Sequence, residues 1–361
     1  MFLEKISGKV DCMRGITKIV FMANDDRPQG GMTDRFRAMT ALYKICKECG
    51  FQFKINHTVP FDLSDYLHPN YDWKISENQI QENKEKSVSL SYFEGWWAVE
   101  SKQYSDTIQY AGRLTCKEVI TILKDLSASY EYILFYTNMS FFQKEYGCLF
   151  NELFHLSTEL QDVIDFHRNK MNNDYFTAVF RFQNLLDDFD EFSEFPTLPA
   201  ELQEVFIQQN INHLIKIHKR NKDRKILVCS DSVRFRNAAA MYDFVYTIGE
   251  KRQHTCNSKI EKQSVLLSFV DYFLISYSSK VFLIVDKVKN KNKKYQSYRS
   301  QFPYWASRHR NVDYVVIDYR IKEALKQIMK KIVPLILREY SIKFMGLTKF
   351  YKKTVFSYFA C

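Results

Sequence analysis

Short apolar runs alternate with helix-patterned stretches along most of this chain, and that alternation restricts the fold more than any other feature. Residues 18–22 (KIVFM), 51–55, 132–138, 176–182, 225–230, 281–285 and 314–318 read as buried strands. Between them lie helical patterns, from Asp34 to Gly50, over 152–171, over 202–220 and over 264–276. Continuous apolar strands separated by helices belong to parallel sheets covered on both faces. At 361 residues the chain exceeds one ordinary core, so two α/β domains are expected. With only 10 Gly and 7 Pro it cannot supply the many tight turns of an all-β fold.

The domain boundaries follow from the same pattern. Residues 1–172 are expected to form a first Rossmann-like domain and 173–334 a second. Residues 335–361 stand apart as a basic, aromatic tail. The polar stretch 64–110 is expected to be irregular, carrying acceptor loops.

Net charge is +10. Such a surface attracts nucleic acid, anionic lipid or phosphorylated ligands without choosing among them. No RNA- or DNA-binding signature accompanies it, and no nucleic-acid partner is expected. Residues 1–5 lead into polar sequence with no apolar signal core, and no run approaches the ~20 apolar residues of a membrane span. Of the eight cysteines, only Cys46 and Cys49 form a CxxC pair, inside a helix and without a second pair at zinc spacing. Reduced thiols and a cytoplasmic location are expected. Arg338, Lys343, Lys349, Lys352 and Lys353 in the tail fit either contact with an anionic inner membrane face or a helix packed back on the domains.

Chemistry-bearing residues fall at strand ends, where open parallel sheets bind ligands. Gly30-Gly31 separates a strand from a helix that opens with Asp34, Arg35 and Arg37. Glycines there admit a ligand to backbone N–H groups, and the arginines suit phosphate or carboxylate. A plain tight turn is the alternative, although cations on a first helical turn oppose the helix dipole. Arg181 ends an apolar strand and must reach a partner, either a pyrophosphate or a nearby acid among Asp187, Asp188, Asp190 and Glu191. Asp231 follows Ser230 and suits a ribose or base, or equally a helix cap. Ser300, Gln301 and Phe302 precede a helix and could hold phosphate. Phe302, Tyr304 and Trp305 are expected in the core rather than on a ligand.

Taken together, these pieces resemble the fucosyltransferases of the α1,2/α1,6/protein-O type. Gly30-Gly31-Met32-Thr33-Asp34-Arg35-Phe36-Arg37 is similar to their first signature. Arg181 matches the arginine of their His-x-Arg-x-x-Asp motif, with Val179 and Asn184 in place of the histidine and aspartate. Ser230-Asp231 resembles their third region. Asp271, Ser276 and Ser300-Gln301-Phe302 resemble the last, stretched by about twenty residues that include 287–294. The resemblance implies a GT-B fold, two Rossmann-like domains with parallel sheets facing a cleft. It implies an inverting, metal-independent transfer of fucose from GDP-fucose to a glycan acceptor in surface polysaccharide synthesis, the acceptor lipid-linked in one version. Arg181 would clamp the departing phosphate, Ser300, Gln301 and Phe302 would hold the same phosphates, and Asp231 would contact guanine or ribose. Gly30, Gly31, Arg35 and Arg37 would line the cleft, with Asp34 as a guess at the general base. Two other readings stay open: a non-enzymatic basic protein binding nucleic acid or an anionic polymer through the tail and residues 287–294, and a GT-B protein that binds nucleotide sugar without turnover.

Overall fold

The computed structural model describes residues 16–25, 27, 29–94, 107–110, 112–189, 195–249, 253, 260–290 and 293–320. The first part of the chain runs β1 (Lys18–Ala23), α1 (Met32–Cys49), β2 (Gln52–His57), β3 (Leu67–Pro69), α2 (Glu77–Glu82), β4 (Ser87–Tyr92), β5 (Thr107–Tyr110), α3 (Cys116–Ser127), β6 (Tyr132–Thr137), α4 (Tyr146–Leu153), β7 (Phe154–Leu156) and α5 (Thr158–Lys170). There follow β8 (Tyr175–Phe180), α6 (Ala200–Lys219), β9 (Lys225–Ser230), α7 (Val233–Ala239), β10 (Val245–Tyr246), α8 (Lys262–Tyr277), β11 (Lys280–Val285), β12 (Lys287–Asn290), β13 (Lys293–Gln296), α9 (Phe302–His309) and β14 (Asp313–Asp318).

Two five-stranded sheets result, ordered β2-β1-β6-β4-β5 and β10-β9-β8-β11-β14. Every pairing in the first is parallel, as are β10 with β9, β9 with β8 and β8 with β11 in the second. The fold class is the expected mixed α/β. The innermost strands explain the sequence pattern: all six residues of β6 and of β8 are buried, so neither strand has a polar face to show. The expected division at residue 172 falls in the turn between α5, which follows the first sheet, and β8, which opens the second.

Several expectations are corrected. Residues 64–110 are not irregular throughout: they hold β3, α2, β4 and β5, and β4 pairs with both β5 and β6 inside the first sheet. Its sequence, SVSLSY, alternates serine with apolar residues and lacks the continuous apolar run that marks its neighbours. The single helix expected over 152–171 is two helices separated by β7, which pairs antiparallel with β3. Gly31 caps α1, and Gly50 ends it in the left-handed region at φ 75°. The insertion at 287–294 forms the antiparallel hairpin β12–β13.

The two sheets belong to one compact unit that runs to Ile317. A second unit begins at Asp318, and within it Arg320 clasps the Asp318 carboxylate at 2.6 Å. The tail at 335–361 lies outside the described residues.

Aromatic side chains carry the join between the sheets. Phe36, fully buried on α1, meets Phe150 of α4 at 5.2 Å and Phe269 and Tyr272 of α8 at 5.8 and 5.5 Å between ring centroids. Tyr146 and Tyr272 share a hydrogen bond of 2.7 Å between their hydroxyls. Burial pushes both phenols well above their ordinary pKa. Trp305 of α9 closes on Tyr146 at 5.0 Å, and His309 on Phe150 at 4.7 Å. Trp305 is therefore core, as expected, and Phe302 packs beside it against Tyr272 at 6.0 Å. The Asp271–Ser276 stretch lies in α8 at this join, with Ser276 buried and donating to the Phe273 carbonyl.

The close approach of α4 to α9 depends on Gly147. A Cβ there would stand 2.1 Å from the His309 carbonyl oxygen. Gly147→Ala should therefore push the two helices apart and cost about 1–3 kcal/mol. Chemical denaturation of Gly147→Ala against wild type measures this, and an unchanged midpoint would show that the join is looser than described.

Candidate functional site

The order of the second sheet locates its ligand-binding edge. Relabelled in chain order, β10-β9-β8-β11-β14 is 3-2-1-4-5. The order reverses between β8 and β11, and ligands of such sheets sit outside the carboxyl ends at that point. Arg181 is the residue immediately after β8.

Arg181 is largely buried. Its guanidinium pairs with the Asp231 carboxylate at 3.1 Å and lies over the Phe189 ring at 4.6 Å. Its side chain remains 18% exposed, against 1% for that of Asp231. One partner of Arg181 is thus supplied by the neighbouring strand's end.

Asp231 departs from the role expected for it. Its Oδ1 accepts from the N–H of Phe182 at 2.9 Å and of Ser232 at 3.1 Å, and its Oδ2 from the N–H of Gln183 at 2.7 Å. With Arg181 added, the carboxylate is saturated by the protein itself. It organises the loop after β8 rather than presenting acceptors to guanine or ribose. Part of that loop is strained, since Gln183 holds a left-handed φ of 54°.

Asp188 is also engaged. It accepts at 2.8 Å from the Ser232 hydroxyl and, with the same oxygen, from the Arg234 N–H. Ser232 in turn caps α7 by accepting from Phe235 N–H at 3.0 Å. Asp188 is thus tied to the start of α7. Asp190 lies outside the described residues. Among the described residues no group of His, Cys, Asp and Glu could hold a metal ion. Cys46 is buried in α1 and unbridged, as is the partly exposed Cys49.

Ser300 and Gln301 reach the same edge through the backbone. The Tyr298 N–H donates to the Arg181 carbonyl at 2.8 Å. Ser300 then turns back to accept from the Phe302 N–H at 3.2 Å, opening α9, and Gln301 is exposed. The turn is secured from below by residues the sequence did not single out. Asp286, just past β11, accepts from His213 and Gln209 of α6, each at 2.5 Å. Its N–H donates to Ser297 Oγ at 2.9 Å, and Ser297 N–H returns to its carbonyl at 2.9 Å. No spacing in the sequence announces a contact between residues 209, 213 and 286.

In the first sheet, the Gly30–Arg37 turn follows the carboxyl end of β1, which lies between β2 and β6. Gly30 sits at φ 74°, and a Cβ on it would meet Asp34 Oδ2 at 2.3 Å. That oxygen accepts from Gly31 N–H at 2.8 Å, while Oδ1 pairs with Arg37 at 3.0 Å. Asp34 therefore clasps the turn, and this geometry gives no support to its use as a base. Arg37 reaches toward Trp305 of α9, 5.9 Å from its ring centroid. Arg35 turns inward, 6% exposed, beside His57 at the end of β2. The structure thus brings Arg181, Asp231 and Ser300 to one edge. Arg37 reaches α9, the helix that the Ser300 turn opens.

No protein-family model matches the sequence, and no curated protein matches it. Solved structures match in fold. POFUT1 in complex with GDP aligns at a TM-score of 0.50 with 10% identity, over 83% of this chain and 98% of that one. NodZ α-1,6-fucosyltransferase soaked with GDP-fucose aligns at 0.49 with 12% identity, over 85% and 96%. An Arabidopsis thaliana FUT1 mutant in complex with GDP aligns at 0.49 with 9% identity, over 84% and 70%. At these identities the likeness is one of fold, and the fold is the GT-B arrangement of fucosyltransferases.

Two histidines within this frame make stability depend on pH. Burial, then the Arg35 charge, lowers the His57 pKa from 6.5 to about 3. Burial, then the Arg310 charge, does the same to His309. Below about pH 6.5 the unfolded chain binds protons at these sites that the folded chain refuses until about pH 3. Stability should therefore fall as pH drops through that window, by up to about 1.4 kcal/mol per unit for each histidine. Urea denaturation between pH 7 and pH 5 tests this. His57→Gln should flatten the slope, and an equal slope in the variant would remove His57 from the account.

Proposed function

We propose that this chain is an inverting glycosyltransferase that moves a sugar from a GDP-sugar, most simply L-fucose from GDP-fucose, to a glycan acceptor. The observation that carries the reading is the position of Arg181. It is a cation at the carboxyl end of the strand where the order of the second sheet reverses, with the Ser300 turn bound to its carbonyl. The fold shared with fucosyltransferases supports the same reading.

In the proposed reaction, an acceptor hydroxyl oxygen attacks the anomeric carbon from the face opposite the nucleotide. The bond from that carbon to the β-phosphate oxygen breaks, and its electron pair stays with GDP. The hydroxyl proton leaves to a base. Charge develops on the β-phosphate as the bond lengthens, and the Arg181 guanidinium would stabilise it. Its pairing with the buried Asp231 fixes the guanidinium before donor arrives, so little reorganisation is needed. The Ser300 and Gln301 turn would add hydroxyl, amide and backbone donors for the same phosphates. Arg37, held by Asp34 and turned toward α9, would contribute positive potential from the first sheet. No step in this scheme calls for a metal ion.

We further propose that the enzyme works in the cytoplasm, with residues 335–361 giving salt-sensitive attachment to anionic membrane near a lipid-linked acceptor. Among the described residues no helix is long and apolar enough to cross a membrane. Co-sedimentation of full-length and 1–334 proteins with anionic and neutral vesicles tests the attachment. Equal binding by a folded 1–334 protein would refute it.

For the donor, thermal shift with GDP, UDP, CMP and ADP should show stabilisation specific to GDP. Arg181→Ala should lose roughly 2–4 kcal/mol of transition-state stabilisation in kcat/KM, and Arg181→Lys should not recover it, because the two-pronged contact is lost. Activity should survive EDTA. Wild-type turnover by Arg181→Ala would overturn the site. Loss of activity in EDTA with recovery in Mg²⁺ or Mn²⁺ would overturn the metal-free scheme. GDP binding without any transfer would leave a nucleotide-sugar binder in place of an enzyme.

A further inference from the structure

We propose that Asp231 is a positioning residue for phosphate recognition, acting on the donor through Arg181 and the loop that follows it. This deepens the GDP-sugar reading and rests on it for the identity of the ligand. The argument begins with burial. Asp231 is 5% exposed, and a carboxylate so placed must be compensated on every side. Its compensation comes from a particular set of donors: Arg181, then the N–H groups of Phe182 and Gln183, then that of its successor Ser232. Three consecutive residues, 181 to 183, are thus held by one carboxylate reaching over from the adjacent strand.

This arrangement does two things that a surface ion pair would not. It fixes the guanidinium in a low-dielectric setting, with the Phe189 ring against it, while leaving the side chain 18% exposed. It also holds Gln183 in its left-handed backbone, a conformation disfavoured in a residue with a Cβ. The loop is therefore pinned where an unaided chain would not stay. The same residues couple outward, because the Arg181 carbonyl carries Tyr298 and hence the Ser300 turn. A shift of Asp231 would move the arginine and the phosphate-facing turn together.

The Asp231 side chain has no spare acceptor to offer a ligand, so its effect on the donor passes through Arg181. Cooperative dependence follows. Calorimetric GDP affinity and melting temperature are to be measured for wild type, Arg181→Ala, Asp231→Asn and the double variant. Each single variant should weaken GDP at least 10-fold, and the double variant should bind no more weakly than the weaker single. Losses that multiply, or wild-type affinity in Asp231→Asn, would overturn the proposal.

If Asp231→Asn fails to fold, Asp231→Glu takes its place. It keeps the charge but displaces it by one methylene, and it should weaken GDP only while Arg181 is present. A ligand-free measurement separates this claim from the donor reading. With ¹⁵N-arginine labelling, the Arg181 guanidinium signals, identified by their loss in Arg181→Ala, should be sharp and protected in wild type and collapse toward free arginine in Asp231→Asn. Unchanged signals would refute positioning even if GDP binds. Changed signals in a protein that binds no GDP would uphold positioning and refute the donor.

Discussion

Phe36 is the side chain through which the two sheets become one structure. A buried phenylalanine contributes roughly 1.5–3 kcal/mol by leaving water, and favourable ring pairs add about 0.5–1.5 kcal/mol each. Phe36 has three such neighbours, one from the first sheet's own helices and two from α8. It also stands two residues from Asp34, in the first turns of α1. The contact that joins the halves is therefore the one that anchors the Gly30–Arg37 turn. This explains why α1 is buried on nearly every side, including at Arg35, where an ordinary covering helix would show a polar face.

The charged residues fall into distinct classes once their partners are known. Several surface lysines are paired locally: Lys44 with Glu145, Lys47 with Glu152 and Lys280 with Asp313. Such pairs are scattered and contribute little individually. Arg181 differs in kind, being paired to a carboxylate that is almost wholly buried and set at the reversal of a parallel sheet.

The sequence made β1, β6, β8, β9 and β11 legible because strands covered on both faces leave uninterrupted apolar runs. It hid β4, whose serines break the run although Ser91 is buried and the strand is internal. Arg181 could be singled out because a lone cation in an apolar stretch must be explained. Asp231 was misassigned for a related reason. A carboxylate after a strand looks the same in sequence whether it will receive a ligand or the N–H groups of another loop. Only the position of residues 181–183 beside it decides, and that is a tertiary fact. Asp34 is similar: its role as a clasp depends on the left-handed turn at Gly30, which places Gly31 N–H and Arg37 on its two oxygens. The Asp286 cluster was invisible for want of any local signal, since its partners come from a helix more than seventy residues away.

That hidden cluster completes the mechanical argument. The hairpin β12–β13 leaves the second sheet at Asp286 and returns at Ser297, and the buried Asp286 closes its base through both residues' backbones. From Ser297 the chain passes to Tyr298 on the Arg181 carbonyl, then through Ser300 into α9. Helix α9 packs its Trp305 on Tyr146, beside the Phe36 join, and receives Arg37 from the first sheet. The two arginines at the two sheet edges are thereby tied to opposite ends of one short segment, residues 298–305. The base of the basic insertion, at Asp286 and Ser297, is therefore the link between α6 and β11 on one side and the Arg181 carbonyl on the other.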